Sequence, residues 1–153
     1  MNQYAPYVNT YKNQRVETAS PETLIIMLYD GAIRFLNVAK SAQADGDIET
    51  FHNHVVKAQR IVFELMASLD MEIGGEVAGN LYRLYDYLHS QLIQADLKTN
   101  VLLLDEVQTH LRELRDSWQQ AIEISKKGES ASGQASDQND SAQGPRSGNV
   151  YSA

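Results

Sequence analysis

Nearly all the large aliphatic side chains fall between residues 20 and 127, and there they recur at steps of three and four. That rhythm is helical. The first helix is predicted to open at Ser20-Pro21-Glu22: serine can cap free amides, proline suits the first turn, and glutamate complements the dipole. It runs to Asp45-Gly46, where glycine can take the left-handed cap. The second starts near Asp47 and carries Ile48, Phe51, Val55, Ala58, Val62, Leu65 and Leu69 on one stripe. After a Gly74-Gly75 loop, a third helix aligns Val77, Leu81, Leu84, Leu88 and Leu92 or Gln91. Lys98-Thr99-Asn100 breaks the pattern. A fourth helix then sets Leu104, Val107, Leu111, Leu114, Trp118 and Ala121 in register and is predicted to stop at Lys126-Lys127-Gly128.

Strand signals are weak, with no alternating Val/Ile/Thr run and no Asn-Gly or Asp-Gly hairpin between strand-like runs. Asp30-Gly31 lies inside the first helix, where glycine costs about 1 kcal/mol relative to alanine. Close helix packing accounts for it; a site of backbone contact is the other reading. Four helices on short connections pack as an antiparallel bundle. The predicted fold is therefore all-α: an antiparallel four-helix bundle over 20–127, with an N-terminal arm over 1–19 and a disordered C-terminal tail over 128–153. The tail has no Leu, Ile, Phe, Met or Trp, so it cannot offset its backbone entropy by apolar burial.

Composition narrows the function. The 153 residues suit one domain, and the absence of cysteine excludes disulfides, thiol catalysis and a Cys-based zinc site. Met1 to Thr10 lacks the basic-then-apolar order of a secretory signal, and no window approaches a membrane-spanning run. The expected location is the cytosol. The net charge is −7, and residues 1–127 alone carry −5, so nucleic acid and anionic lipid should be repelled.

More apolar surface is present than one stripe per helix requires. The first helix adds Ile25, Tyr29, Ile33 and Leu36 to Leu24, Leu28, Phe35 and Val38. The second adds Val56 and Phe63; the third adds Tyr82, Tyr85 and Tyr87. A central helix can be apolar on several sides. On the second and third helices the surplus reads as a groove for an incoming amphipathic segment. Tyr4, Tyr7 and Tyr11 in a polar leader point to an arm that docks on something apolar, either covering an open edge or occupying the groove until displaced.

Enzyme signatures are missing: there is no nucleophile elbow, Walker loop or His-Glu-x-x-His. The run from Gly74 to Gly79 has no preceding strand and no following lysine, so it reads as a linker. A di-iron bundle needs inward Glu-x-x-His quartets. Glu49 to His52 fits once and Asp86 to His89 is a variant, but Phe51 and Leu88 are the core-facing members. His54 and His110 have no partner at ligand spacing. The histidines read as surface groups, with no metal or other cofactor expected. Trp118 reads as core, and the charges around Glu113 as a solvated face.

The run Val16-Glu17-Thr18-Ala19-Ser20-Pro21, continued by Leu24 to Ala32, resembles the signature of the flagellar export chaperone FliS family. Lys57-Ala58, Ile61-Val62, Glu64-Leu65 and Leu69-Asp70 resemble its second helix. Gly74 to Ala78, Asn80-Leu81 and Leu84 to Leu88 resemble its third. Ala95 to Lys98, Glu106-Val107, Leu111, Leu114-Arg115-Asp116 and Trp118 resemble its fourth. The resemblance covers about residues 4–124. It implies a non-enzymatic bundle that binds the C-terminal segment of flagellin in the cytosol, prevents premature polymerisation and presents it to the type III export apparatus, whose component FlhA recognises the loaded complex. The residues expected to meet the partner are Val62, Leu65, Leu81, Leu84, Tyr85 and Leu88, with some overlap with the core. Tyr7 and Tyr11 resemble the family's N-terminal arm tyrosines. The competing readings are a self-associating structural bundle, as a homodimer, and a metal-binding bundle.

Overall fold

The computed structural model describes residues 20–151, with side chains as far as residue 130. The arm with Tyr4, Tyr7 and Tyr11 lies outside the described residues. Four helices follow one another: α1 Pro21–Ala44, α2 Ile48–Ala67, α3 Met71–Lys98 and α4 Val101–Tyr151. Among the described residues there is no strand.

Local chemistry sets the boundaries. Ser20 caps α1, its Oγ accepting from the Thr23 amide at 3.3 Å, with Pro21 in the first turn. Gly46 at φ 77 turns the chain, and Asp47 caps α2 by accepting from the Thr50 amide at 3.1 Å. Such caps contribute about 1 kcal/mol each. The link between α2 and α3 differs from expectation. The connection is at Leu69-Asp70, where Asp70 accepts from the amides of Glu72 and Ile73 and starts a turn at once. The helix then breaks at Gly75, with φ 53 and ψ −126. The diglycine is thus a kink after one extra turn rather than the whole loop. At the far end of α3, Thr99 takes the left-handed conformation, and Asn100 Oδ1 accepts from the Leu102 amide at 3.0 Å.

Contacts divide the chain into two compact units, residues 1–116 and 117–153. The first contains the bundle: α1, α2, α3 and the opening of α4. Inter-helix contacts define its topology. Asp30 meets Arg115 at 2.7 Å, Asn37 meets Gln108 at 2.8 Å and Lys40 meets Asp105 at 2.9 Å. One number rises as the other falls, so α1 and α4 are antiparallel. Phe35 under His54 and Lys57 ties α1 to α2. His52 on Asp96 at 2.8 Å ties α2 to α3. Across the diagonal, the Tyr29 and Tyr85 hydroxyls hydrogen-bond, with ring centroids 6.5 Å apart. In the second unit the helical backbone passes Gly128, which does not adopt the positive φ that would end it, and reaches Tyr151. Trp118, expected in the core, is half-buried there.

The bundle core consists of Tyr29, Leu36, Phe51, Val55, Val62, Leu65, Tyr85, Leu88, Leu92, Leu104, Val107 and Leu111, all fully buried. Each large apolar side chain contributes about 1.5–3 kcal/mol on burial. On α1 the stripes expected as main and extra are mixed: Phe35 is buried, but so are Tyr29 and Leu36, while Val38 is exposed. Touching three neighbours, α1 is the helix with several buried sides. Gly31 is buried, and a Cβ there would stand 3.3 Å from Ile61 Cδ1, which bears out the packing reading. Gln108 is the buried polar group of the core. Its Nε2 donates to the Ile33 carbonyl at 3.0 Å as well as to Asn37, fixing the register of α4 on α1.

Candidate functional site

Six residues of α2 and α3 were expected to meet a partner. Four of them, Val62, Leu65, Tyr85 and Leu88, are buried among the bundle's own side chains. Leu81 and Leu84 are half-buried on the first turns of α3 after the kink. Tyr7 and Tyr11 lie outside the described residues. The six therefore split into a floor and a partly open edge.

The open apolar surface lies one step around each helix from that floor. On α2, Ile48, His52, Val56 and Phe63 fall on one stripe, at spacings of four, four and seven residues. On α3, Tyr82, His89, Ile93 and Asp96 do the same, at seven, four and three. The contact between His52 and Asp96 shows that both stripes flank the α2–α3 seam. Phe63 is 62% exposed, Ile48 52%, Tyr82 45% and Ile93 38%. Leu97, at 75%, adjoins Asp96 at the same end as Ile48. Because the helices are antiparallel, Phe63 is level with the Tyr82–Tyr85 turn, and Ile48 with Leu97. An apolar strip thus runs the length of the seam, crossed by the hydrogen bond between His52 and Asp96. Val56, Phe63 and Tyr82 were legible as surplus apolar residues. Ile48 was assigned to the core stripe, and Ile93 and Leu97 were missed. Their signal was a shared stripe with His52 and Asp96, which needs the helix pairing to be visible.

The other side of α3 is clasped to α4. The Tyr87 hydroxyl donates to Glu106 Oε1, and Gln91 Nε2 donates to Oε2 at 3.3 Å. The bond from Tyr87 holds the Glu106 carboxyl below its usual range, and the same bond pushes the Tyr87 hydroxyl up. His110 stands edge-on to Tyr87, with ring centroids 6.4 Å apart. Hydrogen bonding to Asp30 raises the Arg115 guanidinium further. At the start of α2, bonds from Thr50 hold Asp47 low. These groups fasten helices and caps, and none is aimed at a shared reacting position.

Among the described residues no three His, Asp or Glu side chains gather to hold a metal ion. His52 faces Asp96, and His54 Nδ1 donates to the Thr50 carbonyl at 2.9 Å. Nor is any helix among them long and apolar enough to cross a membrane.

Comparison with known proteins agrees with this geometry. The profile of the family described as "Flagellar protein FliS" matches residues 2–125. The flagellar secretion chaperone FliS of Bacillus subtilis is 35% identical over 128 residues, covering 84% of this chain and 94% of that protein. The corresponding chaperone of Salmonella typhimurium is 37% identical over 115 residues, 74% of this chain and 85% of that one. A solved bacterial flagellar chaperone shares the fold at a TM-score of 0.65 and 21% identity, spanning 78% of this chain and 98% of the other. On these matches the chain belongs to the FliS family of flagellar secretion chaperones, which are not enzymes.

Proposed function

We propose that this chain holds the C-terminal segment of flagellin in the cytosol, keeps it from polymerising, and delivers it to the flagellar type III export apparatus, where FlhA receives the loaded complex. The observation that carries this reading is the exposed apolar strip along the α2–α3 seam. Large apolar side chains left at 38–62% exposure on two neighbouring helices are a surface awaiting cover. A disordered segment that folds there as amphipathic helix lays its apolar side into the strip. Its ordering costs several kcal/mol, offset by burial at about 25 cal/mol per Å². Leu81 and Leu84 extend the strip at the kinked end of α3. Val62, Leu65, Tyr85 and Leu88 act beneath it by holding the helices at fixed spacing. Tyr7 and Tyr11 serve the same surface from the arm.

Co-purification with full-length and C-terminally truncated flagellin tests the proposal. Full-length flagellin should be retained and the truncated form lost. Equal retention of both would remove the C-terminal segment as the client element. A dimer that forms regardless of flagellin would favour self-association through the same strip.

A further inference from the structure

The end of the bundle where α2 passes into α3 leaves three large apolar side chains in solvent. Ile73 is 88% exposed, Val77 67% and Met71 50%. They stand on a stiff turn rather than a loose loop. Asp70 Oδ1 accepts from the Glu72 and Ile73 amides at 3.1 and 3.0 Å, and its carbonyl accepts from the Gly74 amide at 2.8 Å. Gly75, at φ 53, then re-aims the chain into the rest of α3. The core does not use these side chains, and a partner that covers them has little to order on this side.

The charge around this turn has one sign. Gly31 packs on Ile61, and Phe35 lies under Lys57, so the start of α1 stands beside the end of α2. At this end, residues 20–33 and 61–82 contain Glu22, Asp30, Glu64, Asp70, Glu72 and Glu76, and no Lys, Arg or His. Arg115 meets Asp30 at 2.7 Å; no ion pair among the described residues involves the other five. The opposite end is mixed, with Lys40 on Asp105 and Lys98 in the last turn of α3. An apolar centre inside a charged rim is the anatomy of an interface.

We infer that this end of the bundle docks a basic amphipathic helix of another protein, with Lys and Arg flanking an apolar stripe. Charge complementarity selects that occupant. Nucleic acid and anionic lipid meet a rim of their own sign. A second copy sets one acidic rim against another. The chain's own arm over 1–19 brings Lys12 and Arg15 against Glu17, too small a surplus for Asp70, Glu72 and Glu76 of the turn. A basic helix lays its stripe on Ile73 and Val77, and its cations reach the carboxylates of Glu72 and Glu76. The inference does not depend on flagellin being the client, because it uses none of the residues of the α2–α3 strip.

Fluorescence anisotropy with the full chain tests it, the probe being a labelled peptide with leucines on one side of its helix and lysines on the other. Saturable binding should appear at low salt and weaken as salt rises. Ile73→Ser, Val77→Ser should weaken it about tenfold, through lost apolar contact. Glu72→Gln, Glu76→Gln should weaken it about three- to fivefold, the loss expected for exposed charge contacts. All four positions are exposed, so the bundle keeps its fold. Phe63→Ser, Tyr82→Ser, on the strip, should leave binding unchanged. The inference falls if no saturable binding appears at millimolar peptide, or if the strip pair abolishes binding while the turn pair keeps it. It falls equally if oligolysine of the same charge binds as tightly, which reduces the site to a charge field. Tighter peptide binding by a Lys12→Gln, Arg15→Gln chain would make the arm the occupant, and a dimer dissolved by Ile73→Ser, Val77→Ser in sedimentation would make it a second copy; either result overturns the inference.

Discussion

A single hydrogen bond between α3 and α4 gives the molecule a pH signature. Tyr87 donates to Glu106, lowering the carboxyl from its ordinary 4.5 and raising the phenol from its ordinary 10.0. A lowered acid contributes stability that is present above its ordinary value and lost as pH falls through the folded one. A raised phenol contributes stability that is present below its ordinary value and lost as pH rises through the folded one. The clasp therefore works between the two limits. Tyr87→Phe keeps the ring against His110 and removes the bond. Its urea midpoint should lie slightly below that of the parent near neutral pH and converge with it at both acid and alkaline extremes. A difference that stays constant across that range would mean the bond is not the source.

At the scale of the helices, the two glycines flanking Glu76-Val77-Ala78 make opposite demands. Gly75 holds φ 53 and ψ −126, a conformation that side chains rarely adopt. Gly79 lies inside regular α3, where an added Cβ would meet only the Arg83 guanidinium, at 4.0 Å. Gly75→Ala should cost about 1–3 kcal/mol from backbone strain. Gly79→Ala should gain up to about 1 kcal/mol from helix propensity. Paired urea melts read both signs; a gain at Gly75 would show that the kink straightens freely. The same stretch shows what the sequence could tell. Ser20, Asp47 and Gly46 were legible because a cap bonds within a few residues of itself. The extra turn from Met71 was not, because Asp70 caps a short turn with the same bonds that would close a loop. On α1, both apolar stripes met the requirement of periodicity, and only the arrival of three neighbours showed that Tyr29 and Leu36 go inside while Val38 does not. Leu88 fell on the main stripe of α3 and Tyr85 on its surplus set, yet both are buried, because Tyr85 reaches across to Tyr29 of α1. The exposed apolar side chains lie off that floor, at Phe63, Tyr82 and Ile93.

For the whole molecule, stability and partner binding should reside in adjacent but separable layers. Phe63 and Tyr82 are 62% and 45% exposed, so they contribute little to the bundle core. Leu88, fully buried beneath them, contributes much. The double variant Phe63→Ser, Tyr82→Ser should move the unfolding free energy by no more than about 0.5 kcal/mol per site, as surface changes do. Leu88→Ala should cost about 2–5 kcal/mol through the cavity it leaves. Calorimetric titration with a flagellin C-terminal peptide should rank the variants in the reverse order. The surface pair should weaken binding about tenfold or more, because large aromatics that a partner covers act as anchors. Leu88→Ala, measured where it remains folded, should bind within a few-fold of the parent, because its side chain never reaches the peptide. A surface pair that binds as well as the parent would place the client elsewhere on the bundle. A Leu88→Ala protein that stays folded yet cannot bind would mean that the helices part on loading, exposing the floor. The two layers predict distinct pairs of numbers, so one set of melts and titrations separates an intact bundle that is gripped from outside from one that opens.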